Sequence, residues 1–169
     1  AKYVCDIAGI NVQPQDLVSY TFKTAVSPHL AAQMENTIIS LDKIKMDFNN
    51  LKPGYDFLVV EGCGGIICQI STQKNNEIFL TDIIKSLNLD VILVASSVLG
   101  TINSTVLTVE YAKKLNINIK GIIMNFYDKE NFMHADNKKQ IEYLTGIPVI
   151  ATVEKNAKEI FIDKNFFDI

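Results

Sequence analysis

Four short β-rich runs constrain this chain more than any other feature: Phe57-Leu58-Val59-Val60, Val91-Ile92-Leu93-Val94, Ile119 to Met124, and Val149-Ile150-Ala151. Each is apolar without alternation, the pattern of a strand buried on both faces. Between them lie segments with helical spacing, Ile39 to Leu51, Leu80 to Leu87, Thr105 to Leu115 and Ala135 to Leu144. The order β-α-β-α-β-α-β predicts an α/β fold, a doubly wound and mostly parallel sheet with right-handed crossovers and helices on both faces. Functional residues then belong just past the carboxyl ends of the strands. Ser40 and Asp42, Thr81 and Asp82, and Gly146 followed by Pro148 read as helix boundaries, so Asp82 is taken as a helix-start carboxylate rather than a catalyst. Before residue 50, Lys2 to Ile10 reads as a short helix and Leu17 to Thr24 as an extended segment, with no strong strand. A doubly wound sheet without its first strands has this look.

The chain has 169 residues, 48% of them hydrophobic. That is the size of a single domain, able to bury roughly 70% of its unfolded surface without a disulfide or zinc staple. The net charge is −3, and every cation is Lys. Without Arg the chain lacks the usual bidentate reader of bases and phosphates, which argues against nucleic acid as a partner, and it carries no arginine finger of its own. Cys5, Cys63 and Cys68 show no CxxC spacing, so they read as reduced thiols. No apolar run approaches the ~18 residues of a membrane span, and no signal-peptide pattern is present. The expectation is a cytoplasmic protein without a membrane partner.

The sharpest local feature is Asp56-Phe57-Leu58-Val59-Val60-Glu61-Gly62-Cys63-Gly64-Gly65. A carboxylate ending a buried strand, followed by glycines, sets an anion beside closely approaching backbone N–H groups, a position suited to holding Mg²⁺ over a phosphate. The plainer alternative is a turn capped by Glu61. A second feature, Val98-Leu99-Gly100-Thr101-Ile102-Asn103-Ser104-Thr105, opens a helix on a glycine turn. It offers free amides and the positive end of the macrodipole to a carboxylate or phosphate, although Thr101 or Asn103 as an ordinary N-cap explains it equally well. The third feature is the run Gly121 to Asn125, a strand ending in an amide that can meet a purine edge or close a turn. Polar groups crowd a proline turn at residues 23–29, and His29 and His134 read as surface imidazoles.

Taken in order, these pieces resemble the dethiobiotin synthetases. The resemblance rests on Tyr20 to Ala31, on Val59-Val60-Glu61-Gly62-Cys63-Gly64-Gly65, on Leu99-Gly100-Thr101-Ile102-Asn103 with Val106-Leu107-Thr108 behind it, and on Gly121-Ile122-Ile123-Met124-Asn125. It implies a homodimeric fold like that of P-loop NTPases, with active sites at the subunit interface. The implied reaction carboxylates 7,8-diaminononanoate with CO₂, phosphorylates the carbamate with Mg·ATP, and closes the ureido ring as phosphate leaves. By that likeness Glu61 holds Mg²⁺, Gly62, Gly64 and Gly65 border the diamine and carbamate, and Thr24 and Ser27 line the substrate side. Leu99, Gly100 and Asn103 receive the substrate's tail carboxylate, while Asn125, Val153 and Glu154 border the adenine.

No GxxxxGK[ST] phosphate loop occurs in the 169 residues. The resemblance implies that this loop, with the strands and helix around it, precedes Ala1, making residues 1–169 the C-terminal part of one domain. Two alternatives stay open here: a non-catalytic relative that dimerises or binds a small carboxylate, and a related P-loop amidoligase or partition-type ATPase. The acidic, Phe-rich tail after Lys155 is expected to pack Phe161, Phe166 and Phe167 on the core.

Overall fold

The N-terminal of the chain's two compact units, Ala1–Asn88, is organised around a short antiparallel hairpin. The computed structural model describes residues 1–74, 76–162 and 166. Helix α1 (Lys2–Ala8) stops at Gly9, whose φ of 64° is left-handed. Helix α2 (Pro28–Met34) begins on a proline, whose fixed φ suits the first helical position. Helix α3 (Leu41–Leu51) is capped by Ser40, whose Oγ accepts from the Lys43 N–H at 3.4 Å. Strands β1 (Gln69–Gln73) and β2 (Asn76–Phe79) pair antiparallel, and helix α4 (Leu80–Ser86) follows directly. Asp82 does what its position suggests, accepting the Phe79 N–H at 2.8 Å. Ala32, Ile39, Ile70, Ile78 and Ile83 form the core of this unit, with Tyr20, Phe22, Ile44 and Leu80 packed around them.

One expectation fails here. Residues 57–60 are not a buried strand: the chain is irregular there, and Val59 is 84% exposed. An apolar run becomes a two-sided buried strand only where neighbours hydrogen-bond to both of its edges, a condition that lies outside the run itself. The hairpin is an element that the sequence analysis did not identify. Its signal was two short alternating runs, around Ile70 and around Ile78, flanking an Asn-rich stretch.

The C-terminal unit, Leu89–Ile169, carries the expected alternation. Strand β3 (Val91–Ser96), helix α5 (Thr101–Lys114), strand β4 (Ile119–Asn125), helix α6 (Phe132–Thr145) and strand β5 (Val149–Val153) follow one another. The strands form a parallel sheet in the order β3-β4-β5, so three of the four apolar runs are strands of one α/β layer. Ala95, Ile122, Met124 and Ile141 are its core, with Leu93, Ile102, Ile147 and Val149 packed against them. Buried Thr101, Thr105, Val109 and Ala112 mark the inner stripe of α5 at helical spacing. Gly146, at φ 70°, ends α6 as expected. His134 is not a surface imidazole: it lies on α6 and is 6% exposed. In the tail, Phe161 is exposed rather than packed and Phe166 lies against the sheet near Gly121, while Phe167 is outside the described residues. Among the described residues no helix is long and apolar enough to cross a membrane.

Close packing makes Gly121 irreplaceable in shape, since an added Cβ would sit 2.7 Å from Ile150 Cγ2 and 3.1 Å from Phe166 Cζ. Gly121→Val should therefore cost about 1–3 kcal/mol, read as a lower urea midpoint. At the amino edge of the sheet, Asp90 accepts from Asn118 Nδ2 at 2.8 Å and pairs with Lys120 Nζ at 3.1 Å. The Asn118 hydrogen bond first, and then Lys120, hold its carboxyl below the usual range. A depressed carboxylate stabilises the fold above its unfolded pKa and loses that contribution as pH falls through the folded value. Because the pair is exposed, Asp90→Asn should cost no more than about 1 kcal/mol at pH 7, and the difference from wild type should fade below about pH 4.

Candidate active site

Within the C-terminal unit the ladder registers bring the ends of the three strands level: Ser96 lies beside Asn125, and Asn125 beside Val153. Glu154 follows, exposed. The chain after β3 turns through residues 97–100 into α5, whose N-cap is Gly100 at φ 94° with no side-chain cap. Neither Thr101 nor Asn103 is the cap: the Thr101 hydroxyl turns back and donates to the Ser96 carbonyl. The Thr101 N–H donates to the Val98 carbonyl at 3.2 Å, which leaves the Ile102 and Asn103 amides of this 14-residue helix open beside exposed Leu99, Gly100 and Asn103, a setting that favours an anion. Leu99, 86% exposed, adds an apolar surface next to it. The Asn125 side chain accepts from the Phe126 N–H at 2.9 Å, and Phe126 takes a left-handed φ of 58°. Asn125 therefore closes a turn, and its amide is fixed by that turn at the strand end. The structure brings together Leu99, Gly100, Asn103, Asn125, Val153 and Glu154 on this one edge.

In the N-terminal unit, Glu61, Gly62, Gly64 and Gly65 are exposed and precede β1 in a bent segment rather than ending a strand. Gly64 has a φ of 91°, a conformation that favours glycine. A Cβ on Gly62 would approach Leu80 Cδ2 to 3.1 Å, so the chain passes close to the core there. Thr24 and Ser27 are exposed in the turn ahead of α2, where the Val26 N–H donates to the Thr24 carbonyl at 3.0 Å. Among the described residues no hydrogen bond or ion pair joins them to Glu61 or its glycines. His29 is half-buried and ties α2 to β1, its Nδ1–H donating to the Gln69 carbonyl at 3.2 Å. A cleft of about 370 Å³ beside it is lined by His29, Gln33, Asn36, Ser71 and Gln73 among others, and by none of the site residues expected from sequence.

Mg²⁺ takes one or two protein carboxylates and keeps waters and phosphate oxygens for the rest. Glu61, a solvent-facing carboxylate beside the Gly64 turn, suits that role. Among the described residues no group of three or more His, Cys, Asp or Glu side chains could cage a metal unaided.

Sequence reasoning missed the buried polar residues behind the carboxyl edge, Ser97, Asn137 and His134. The signal was present on α6: His134, Asn137, Ile141 and Thr145 recur at one-face spacing, so polar residues stand where an apolar stripe is due. His134 Nδ1 accepts the Asp128 N–H at 2.9 Å and so holds the loop after β4.

Partial desolvation first, and then the neighbouring Cys68 thiol, push the Cys63 thiol up to about 11. Cys63 should be slow toward iodoacetamide at pH 8 although it is exposed, with its alkylation rate rising about tenfold per pH unit up to pH 10, as followed by peptide mass spectrometry.

A family model described as an AAA domain matches residues 1–159. The chain is 50% identical to the ATP-dependent dethiobiotin synthetase of Clostridium botulinum strain Eklund 17B, over 99% of this chain and 75% of that protein. It is 49% identical to the same enzyme from C. botulinum strain Loch Maree, over 97% of this chain and 72% of the relative. The enzyme of the same name from Clostridium novyi strain NT is 47% identical, over 99% of this chain and 71% of the relative.

Proposed function

The chain belongs to the dethiobiotin synthetase family, and from that premise we propose that it takes part in the ATP-dependent closure of a ureido ring on 7,8-diaminononanoate. The observation that carries the proposal is the carboxyl edge of β3, β4 and β5. There an uncapped α5 N-terminus and the turn-locked Asn125 amide lie at neighbouring strand ends. These are the two kinds of group that a carboxylate-tailed substrate and a purine nucleotide need.

In the proposed reaction an amine of the substrate adds to CO₂ and loses a proton, giving a carbamate. A carbamate oxygen takes the γ-phosphoryl group of ATP, releasing ADP, and the second amine attacks the carbamoyl carbon as phosphate departs. Phosphoryl transfer asks the protein for alignment and charge neutralisation more than for covalent help. Leu99, Gly100 and Asn103 receive the tail carboxylate on the α5 amides, Asn125 reads the adenine edge, and Val153 and Glu154 border the base. Glu61 is the proposed Mg²⁺ ligand; when bound, that ion neutralises phosphate charge. Gly62, Gly64 and Gly65 let the backbone approach the diamine and carbamate, with Thr24 and Ser27 on the substrate side. On this proposal residues 1–169 act as part of one phosphate-loop domain, in a homodimer with active sites at the subunit interface. The GxxxxGK[ST] element itself is not among these residues.

The test is ADP release by the purified natural protein with Mg·ATP and bicarbonate, with and without the diamine. Diamine-dependent release is expected, and Glu61→Gln should lower kcat by about 10²-fold with the diamine KM little changed. Diamine binding without ADP release would favour a non-catalytic relative instead.

A further inference from the structure

The residues that hold the carboxyl edge in shape are not those that border it. Ser97 follows β3 and is 0% exposed. Its N–H and its Oγ–H both donate to the Asn125 carbonyl, each at 2.9 Å. Its own carbonyl accepts from Asn137 Nδ2 at 3.0 Å, and Asn137, on α6, is 6% exposed. One residue earlier, the Ser96 carbonyl accepts from the Thr101 hydroxyl at the start of α5. The backbone that leads from β3 into α5 and the backbone that ends β4 are thus joined by side chains from α5, α6 and the turn itself. Ser97 is no nucleophile here, because its hydroxyl proton is committed to the Asn125 carbonyl and no base among the described residues accepts it.

We propose that Ser97 and Asn137 are positioning residues that fix the Leu99-Gly100-Asn103 corner relative to the Asn125 amide, so that one buried bracket sets both substrate-recognition points. The assignment rests on the proposed roles of that corner and of Asn125. Its consequence is specific. Asn125 touches one ligand, so altering it weakens one ligand. Ser97 and Asn137 touch neither, yet both recognition points hang from Ser97, so altering either residue weakens two chemically unrelated ligands together. Removing the Asn137 donor also leaves the Ser97 carbonyl buried and unpaired, which forces the turn to move rather than merely loosen.

The experiment measures KM for ATP and for 7,8-diaminononanoate, with kcat and melting temperature, in the full natural enzyme and in Ser97→Ala, Asn137→Asp and Asn125→Ala. Ser97→Ala and Asn137→Asp should each raise both KM values about tenfold with kcat within about threefold, while Asn125→Ala raises only that for ATP. Both KM values within about twofold of wild type, with only melting temperature or kcat reduced, would reduce the bracket to a structural one and overturn the proposal. If Asn125→Ala leaves the ATP KM unchanged, the adenine role fails separately. The diamine KM of Ser97→Ala and Asn137→Asp then decides, a tenfold rise supporting the bracket and no change overturning it. If Asn137→Asp does not accumulate in folded form, Ser97→Cys, close in size with a weaker donor, takes its place. Amide exchange of Ser97 supplies a readout independent of turnover: at least tenfold faster exchange in Asn137→Asp supports the bracket, and unchanged exchange overturns it.

Discussion

The carbonyl of half-buried Asn125 receives two donors from Ser97, one from the backbone and one from the hydroxyl, and the buried Ser97 carbonyl receives Asn137 in turn. Each such bond is worth only about 0.5–1.5 kcal/mol net, but leaving the buried Ser97 carbonyl unpaired would cost about 1–3 kcal/mol, so the pairing selects one geometry over its neighbours. With Asn125 fixed, Phe126 can hold its left-handed turn and the Asn125 side chain can close on it. With Ser97 fixed, the chain reaches Gly100 in register to open α5. The edge is shaped by bonds among the protein's own groups.

The two ends of the parallel sheet divide the work. At the amino end, exposed Asp90 collects Asn118 and Lys120, a surface arrangement whose contribution is electrostatic and modest. In the middle, Ile122, Met124 and Ile141 exclude water, and Gly121 lets Ile150 and Phe166 approach the strand. At the carboxyl end, polar groups replace apolar ones, and the proposed recognition residues are exposed or half-buried while their supports are buried. That is the arrangement expected of an open α/β sheet whose chemistry lies beyond its strand ends.

How legible this was in the sequence depended on whether a feature is local. Caps and breaks are, so Ser40, Asp82 and Gly146 were read correctly. The runs Val91–Val94, Ile119–Met124 and Val149–Ala151 also declared themselves, because they meet one another through short helical crossovers. The run Phe57 to Val60 looked the same yet is irregular among the described residues, since pairing is a property of neighbours and not of the run. His134 was misplaced because a polar residue on an inward helical face cannot be told from a loop residue without its partner, here the Asp128 amide. Ser97 and Asn137 were invisible for the same reason: their acceptors lie 28 and 40 residues away in the chain. Glu61 and its glycines were legible as a motif, but not as the exposed bend they form.

The claim on which the account turns is that ligands meet this molecule at the carboxyl edge of β3, β4 and β5. Residue-by-residue amide shifts in the isotopically labelled natural protein, titrated with ADP, test it most directly. The account predicts the largest shifts at Asn125, Phe126 and Val153, with Asp90, Asn118 and Lys120 unmoved. Saturable shifts confined to the amino edge, or none at the carboxyl edge, would contradict it.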